Sequence, residues 1–304
     1  MEGQRMDKFA FLVTLLVVCL EVMSCGGTKK GDEVQWKVYS TWPFSAEEAK
    51  RRQQETAEAL GVPVKREVAL GGGAALKLVL IPAGEFMMGS EHAGEPVHKV
   101  RISEPFYMST TEVTQAQYVA VMGEKPWSGQ DYAGRSEDAA ANYVTWYNAE
   151  EFCEKLSEKT GHEVRLPTEA QWEYACRAGS EAAYCFGDSE ARLVEYGWYE
   201  NNAEHPGECY PHAVAQKKPN AWGLYDIHGN VSEWCRDWYE YQSYSVSPQE
   251  DPQGPSTGED RVWRGGSWGD NAWVCRSANR NWAYPTGTYY YYGFRVVVLL
   301  SPGP

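Results

Sequence analysis

Apolar and polar residues recur along this chain with three different patterns, and each pattern predicts a different kind of element. Residues 9–20, FAFLVTLLVVCL, form an apolar run behind Arg5 and Lys8. The run is too short to span a bilayer as a helix and has the length and basic flank of a secretory signal's apolar region. Residues 44–60 place Ser45 and Glu48 at capping-box spacing and end at Gly61-Val62-Pro63, which predicts a helix. Its face (EEAKRRQQETAEA) is so charged that the helix is expected to lie solvated beside the main domain. From Leu76 the pattern changes. LKLVLIPAGEFMMGS predicts a strand, a Pro-Ala-Gly turn and a second short strand. Residues 98–109 alternate apolar with polar, as a half-buried strand does.

Helical spacing then takes over. Thr114 and Gln117 form a capping box ahead of Tyr118, Val119 and Val121, and Ala149, Phe152, Cys153 and Leu156 mark one face of a second helix. Thr168 and Gln171 form a third box, with Trp172, Ala175 and Cys176 on one face. Beyond Gly179 short apolar runs alternate with Gly, Pro and aromatics, until GFRVVVLL predicts a closing buried strand. The expected organisation is a signal peptide with lipobox over residues 1–25, a tether and accessory helix over 26–75, and one compact, loop-rich α+β domain over 76–300.

Composition narrows the functional classes. The formal net charge of −14 opposes docking on nucleic acid, because a phosphate-tracking surface must be basic. The chain carries 13 Trp and 20 Tyr against 8 Phe, which suits either aromatic packing in a loop-rich fold or a recognition surface. Val22-Met23-Ser24-Cys25-Gly26-Gly27 resembles a bacterial lipoprotein box, so the chain is expected to be exported and anchored in the cell envelope through a lipid on Cys25. An oxidising compartment would let Cys153, Cys176, Cys185, Cys209, Cys235 and Cys275 pair, and six cysteines leave fifteen pairings open. The six histidines show no H-E-x-x-H spacing, Gly71-Gly72-Gly73 lacks the Lys-Ser/Thr of a phosphate loop, and no G-x-S-x-G elbow occurs.

Seven motifs fall in one order: IPAGEFMMGS, EVTQAQY, VTWYNAEEFC, LPTEAQWEYACRAG, KKPNAWGLYDIHGNVSEW, RVWRGGSW and YGFRVV. The ordered set resembles the formylglycine-generating enzyme, or sulfatase-modifying factor, domain family over residues 76–298. The resemblance implies a fold related to C-type lectin-like domains, calcium as a structural ion, and copper-dependent oxidation of a sulfatase cysteine to formylglycine.

The copper chemistry is where this chain departs from that pattern. The family's first copper cysteine lies three residues after the Ser of the Gly-Gly-Ser turn, and here that position, counted from Ser267, is Asp270. A carboxylate is a hard ligand and a poor one for Cu(I). The second position, counted from the same turn, is Cys275. Counting back from Gly293-Phe294-Arg295 instead puts Cys275 beyond the copper cysteine, in the CRSANR run of non-oxidase relatives, and Ser232 stands where the family enzymes carry Trp. Ser267, Asp270 and Cys275 are thus the candidate catalytic residues, although Cys275 reads first as a structural residue, paired or packed. By resemblance its disulfide partner is Cys176, and Cys153 is left unpaired.

For calcium, the resemblance implies the carboxylates of Asp226 and Glu233 and the carbonyls of Gly229 and Val231, all hard oxygens gathered at one turn. Three functions stand at this stage. One is a binding or scaffold protein for an exported protein or peptide, a sulfatase among them, or for an envelope glycan. The others are an active oxidase and another metal- or oxygen-dependent modification of an exported substrate.

Overall fold

The computed structural model describes residues 36–91, 95–241, 244 and 249–300. The expected signal peptide, lipobox and first part of the tether lie outside the described residues. No helix among the described residues is long and apolar enough to cross a membrane.

The accessory segment is part of the domain. Helix α1 (Ala46–Leu60) is capped by Ser45, whose hydroxyl accepts from the Glu48 N–H at 3.2 Å. The solvated helix expected from its charge is overturned, because Ala49, Arg52, Gln53, Thr56 and Ala57 are all buried. Arg52 reaches that environment by pairing with Glu48 at 2.8 Å and donating to the Thr41 carbonyl at 3.0 Å. Gln53 donates to the carbonyls of Leu80 and Trp222. A polar side chain that satisfies its donors can be buried cheaply, and a charge census of the helix face does not reveal this.

Strands β1 (Lys65–Gly71), β2 (Ala74–Ile81), β5 (Phe106–Ser109), β11 (Val297–Leu299) and β6 (Val164–Arg165) form a five-stranded sheet in the order β1-β2-β5-β11-β6. All of its pairings are antiparallel. The C-terminal strand therefore sits inside the sheet, so the domain cannot complete its core until its last residues are in place. Strands β3 (Gly84–Ser90) and β4 (Glu95–Ile102) make a separate antiparallel hairpin. A four-stranded sheet, ordered β10-β7-β8-β9, gathers β7 (Ser232–Trp238), β8 (Arg261–Arg264), β9 (Arg280–Ala283) and β10 (Tyr292–Gly293).

Helices α2 (Gln115–Met122) and α4 (Glu169–Arg177) start where their capping boxes predict, and α3 (Trp146–Thr160) lies where the apolar spacing places it. Thr114 with Gln117 and Thr168 with Gln171 close reciprocal capping boxes, and Thr145 with Asn148 closes one that the sequence reading did not single out. Helix α4 was expected to bury one face, yet all nine of its residues are buried. It lies against β3, β4, β7 and β8 and so reaches both the hairpin and the four-stranded sheet. Its charged residues are held by ion pairs: Glu173 with Arg177 at 2.8 Å and with Arg264, and Glu169 with Arg280 at 2.8 Å.

Candidate functional site

The Gly265-Gly266-Ser267 turn leaves β8 directly after Arg264. That arginine is fully buried; it donates to Glu173, to the Asn279 carbonyl and, at 3.0 Å, to the Ser277 carbonyl. One guanidinium thereby ties α4 to the far end of the loop that follows the turn. Gly266 has φ 71°, and a Cβ there would meet the Cys275 Sγ at 2.8 Å. The second glycine is needed for close approach, since the loop folds back and packs its thiol against the turn.

The structure brings the three candidate catalytic residues near one another without making a reactive thiol. The Ser267 hydroxyl donates to Oδ2 of Asp270 at 2.6 Å, and the Asp270 carbonyl accepts from the Glu200 N–H at 2.9 Å. Burial raises the Asp270 carboxyl above its usual range, opposed in part by the Ser267 hydrogen bonds. Cys275 is fully buried in a small apolar cluster with Tyr184, Leu193, Tyr199 and Ala272. Burial first, and the nearby Asp270 charge second, push its thiol well above the ordinary value. A thiol so placed is a packed side chain rather than a nucleophile or thiolate ligand.

The expected pairing of Cys275 with Cys176 is not made: Cys153, Cys176, Cys185, Cys209, Cys235 and Cys275 are all free. The element between the two cysteines is His228, which sequence reasoning missed. Its Nδ1 lies 2.8 Å from the Cys275 carbonyl, its Nε2 accepts from the Cys185 N–H at 3.1 Å, and the Cys176 Sγ lies 3.8 Å from Nε2. Those partners require the neutral imidazole with its proton on Nδ1. Burial holds the pKa down at about 4. No spacing rule could have found this residue, because its partners come from three separate stretches of chain.

Of the expected calcium residues, Asp226, Gly229 and Val231 precede β7 and Glu233 is its second residue. Gly229 adopts φ 144° with its Cα pressed on Trp198, where a Cβ would meet the Trp198 carbonyl at 2.2 Å. Val231 and Glu233 are fully buried. Both Glu233 oxygens are committed: Arg295 donates to them at 2.6 and 2.7 Å, and the Trp172 indole N–H donates at 2.7 Å. Asp226 accepts from the Ala215 N–H at 2.6 Å through Oδ2, while its buried Oδ1 has no hydrogen-bond partner among the described residues.

A second buried acid, close enough for the Asp226 charge to act on it, is Glu112, also missed by sequence reasoning. It is fully buried, with neither carboxylate oxygen hydrogen-bonded among the described residues. Burial, then the charges of Asp226 and Glu233, push its carboxyl well above the usual range, and burial lifts Asp226 to about 6. Asp226 and Glu112 thus present carboxylate oxygens with no hydrogen-bond partner among the described residues, whereas both Glu233 oxygens are hydrogen-bonded. Among the described residues no three His, Cys, Asp or Glu side chains are grouped to hold a metal. A calcium ion here would therefore have to complete its shell with backbone carbonyls. For copper the residues do not fit: the loop offers one hydrogen-bonded carboxylate and one buried, protonated thiol.

Tyr132, Trp268 and Tyr290 pack in a triangle with centroid separations of 6.0, 4.8 and 5.5 Å. Trp273, Trp282, Tyr284 and Tyr289, all from the same C-terminal stretch, are exposed.

The fold and this loop together define a class. The chain belongs to the sulfatase-modifying factor enzyme 1-like domain family, which matches residues 72–300. Among relatives, the serine/threonine-protein kinase pkn1 of Chlamydia pneumoniae is 34% identical over 246 residues, 72% of this chain and 37% of that protein. The chain thus spans little more than a third of that relative. The formylglycine-generating enzyme of Streptomyces coelicolor is 30% identical over 252 residues, 62% of this chain and 78% of the enzyme. Two solved structures share the fold. Treponema denticola variable protein 1 has a TM-score of 0.71 at 30% identity, covering 78% of this chain and 99% of that one. PvdO from Pseudomonas aeruginosa has a TM-score of 0.67 at 28% identity, covering 77% and 98%.

Proposed function

We propose that this chain is a binding protein of the sulfatase-modifying-factor family that has given up copper-dependent cysteine oxidation and uses its aromatic C-terminal face to hold a partner at the cell envelope. The observation that carries this reading is the state of the loop after Ser267. Asp270, at the position of a copper cysteine, spends its carboxylate on Ser267, and Cys275 is buried with its thiol held protonated. Cu(I) prefers soft thiolates, and this loop supplies none. Exposed Trp and Tyr side chains drawn from one stretch supply the kind of surface that anchors a partner. Export and lipidation at Cys25 are part of the same proposal and rest on the sequence of the first 27 residues. So does a structural calcium, for which the unpaired Asp226 and Glu112 oxygens are the support.

The test is a Cu(I) competition titration of the purified protein, beside mass spectrometry of a cysteine-containing sulfatase-motif peptide incubated under oxygen. The expected result is neither tight copper binding nor loss of the peptide thiol. Conversion of the peptide cysteine to formylglycine would overturn the proposal and restore the oxidase reading, with a ligand set unlike that of the family.

A further inference from the structure

The loop that carries Cys275 also lines, through Trp273, Arg276, Ala278 and Asn279, a cavity of about 430 Å³ that no catalytic role uses. That volume falls within the range of sites that take a ligand. It forms where the β3–β4 hairpin, the C-terminal end of α4, residues 181–188 and residues 273–279 meet. Its apolar wall is made of Met87, Val97 and Trp273, which are 36%, 43% and 44% exposed. Three large apolar side chains left in water around one concavity are unlike apolar residues scattered singly over a surface.

Trp273 is held outward by its own turn. Asn271 Oδ1 accepts from the Trp273 N–H at 3.0 Å, and the Asn271 carbonyl accepts from the Val274 N–H at 3.1 Å. Ala272 and Cys275, on either side, drop into the apolar cluster with Tyr184 and Leu193. The buried thiol and its alanine neighbour therefore anchor the turn that presents the indole.

Charge selects the occupant. The lining carries two cations, Arg177 and Arg276, and each is already paired, with Glu173 at 2.8 Å and Glu190 at 3.0 Å. It also carries the exposed carboxylates Glu91, Glu181 and Asp188. The rim is thus negative over an apolar wall, on a chain whose net charge is −14. A long alkyl stem ending in a cation matches both parts: the stem covers Met87 and Val97, the charged head stacks on the Trp273 face, and the rim carboxylates hold it.

We propose that this cavity seats an arginine or lysine side chain of a basic polypeptide partner. The inference rests on the binding-protein reading above and names its ligand chemistry.

The experiment is fluorescence titration of the purified protein with arginine- and lysine-rich decapeptides, set beside neutral and acidic decapeptides and a panel of envelope glycans. Saturable binding of the basic peptides alone is expected, weakening as salt rises from about 0.05 to about 0.5 M. Trp273→Ala should weaken it roughly tenfold and Glu181→Gln severalfold, with both variants melting as the parent does. Basic peptides that bind no better than neutral ones, or that bind Trp273→Ala unchanged, would overturn the assignment. Glycan binding without peptide binding would also overturn it while leaving the binding-protein reading standing. Oxidation of the sulfatase-motif peptide would remove both.

Discussion

The Ser267 hydroxyl donates a 2.6 Å hydrogen bond to the carboxylate of Asp270, three residues on, so this acid closes its own turn. That bond engages one of its oxygens, and a carboxylate is in any case a hard ligand, poorly suited to Cu(I). Cys275, five residues further, looks into the apolar cluster behind Gly266. Five consequences can be measured.

Asp270→Cys alone should not create a copper site. It restores a thiol at the family position, but its partner would still be the buried Cys275. A Cu(I) competition titration of the variant should show no tight one-to-one binding, and tight binding would mean that Cys275 can turn outward.

Cys275→Ser places a hydroxyl among Tyr184, Leu193, Tyr199 and Ala272. The expected cost is roughly 1–3 kcal/mol of stability, the penalty for a buried hydroxyl without a strong partner. The parent should melt at the same temperature with and without reductant, because its six described thiols are free. A reductant-dependent melt would show that a disulfide forms after all.

Glu233 and Arg295 form a bidentate pair with 1% and 0% of their side chains exposed. Removing one partner leaves the other charge buried and alone, so Glu233→Gln should cost roughly 3–5 kcal/mol in urea unfolding. A loss below about 1 kcal/mol would mean that water or an ion can replace the carboxylate.

Asp237 should make the protein less stable as pH rises. Burial, reinforced by the Glu169 charge, lifts its carboxyl from 3.8 to about 7, against the hydrogen bond it accepts from the Glu169 N–H at 2.8 Å. The folded state therefore holds a proton that the unfolded chain releases. The stability this group contributes is full below pH about 4 and is lost as pH rises through about 7. Asp237→Asn, which keeps an acceptor for that N–H, should flatten this part of the profile and raise the melting temperature at pH 8. An unchanged slope in the variant would assign the titration elsewhere.

Calcium should stabilise the protein through Asp226 and Glu112. Chelation with EDTA is expected to lower the melting temperature of the parent, and added calcium to restore it. Glu112→Gln should respond weakly to both. A parent melt indifferent to EDTA would remove the ion from the proposal.

Much of the framework was legible in one dimension because it is written in local rules. Capping boxes at Thr114 and Thr168 marked helix starts and the apolar run after Gly293 marked a strand, but residues 98–109, expected as one half-buried strand, divide between β4 of the hairpin and the fully buried β5 of the five-stranded sheet. The ordered motifs identified the family, and counting from Ser267 showed a carboxylate where a thiolate is expected. What the chain could not display locally was which charges would be buried. Arg52 and Gln53 look solvated in a charged helix, yet inside the fold Arg52 pairs with Glu48 and donates to the Thr41 carbonyl while Gln53 donates to two carbonyls. Glu233, expected from the resemblance to face calcium, also receives Arg295, 62 residues later, on both its oxygens. Glu112 and His228 acquire their roles only from partners brought in by other elements. Cys275 was open in the sequence to reactive, disulfide-bonded, packed and surface readings, and the fold buries its sulfur behind Gly266. Periodicity and capping act over one or two turns of chain and can be read directly. Burial, ion pairing and thiol reactivity depend on distant residues meeting in a medium of low dielectric, and that is decided in three dimensions.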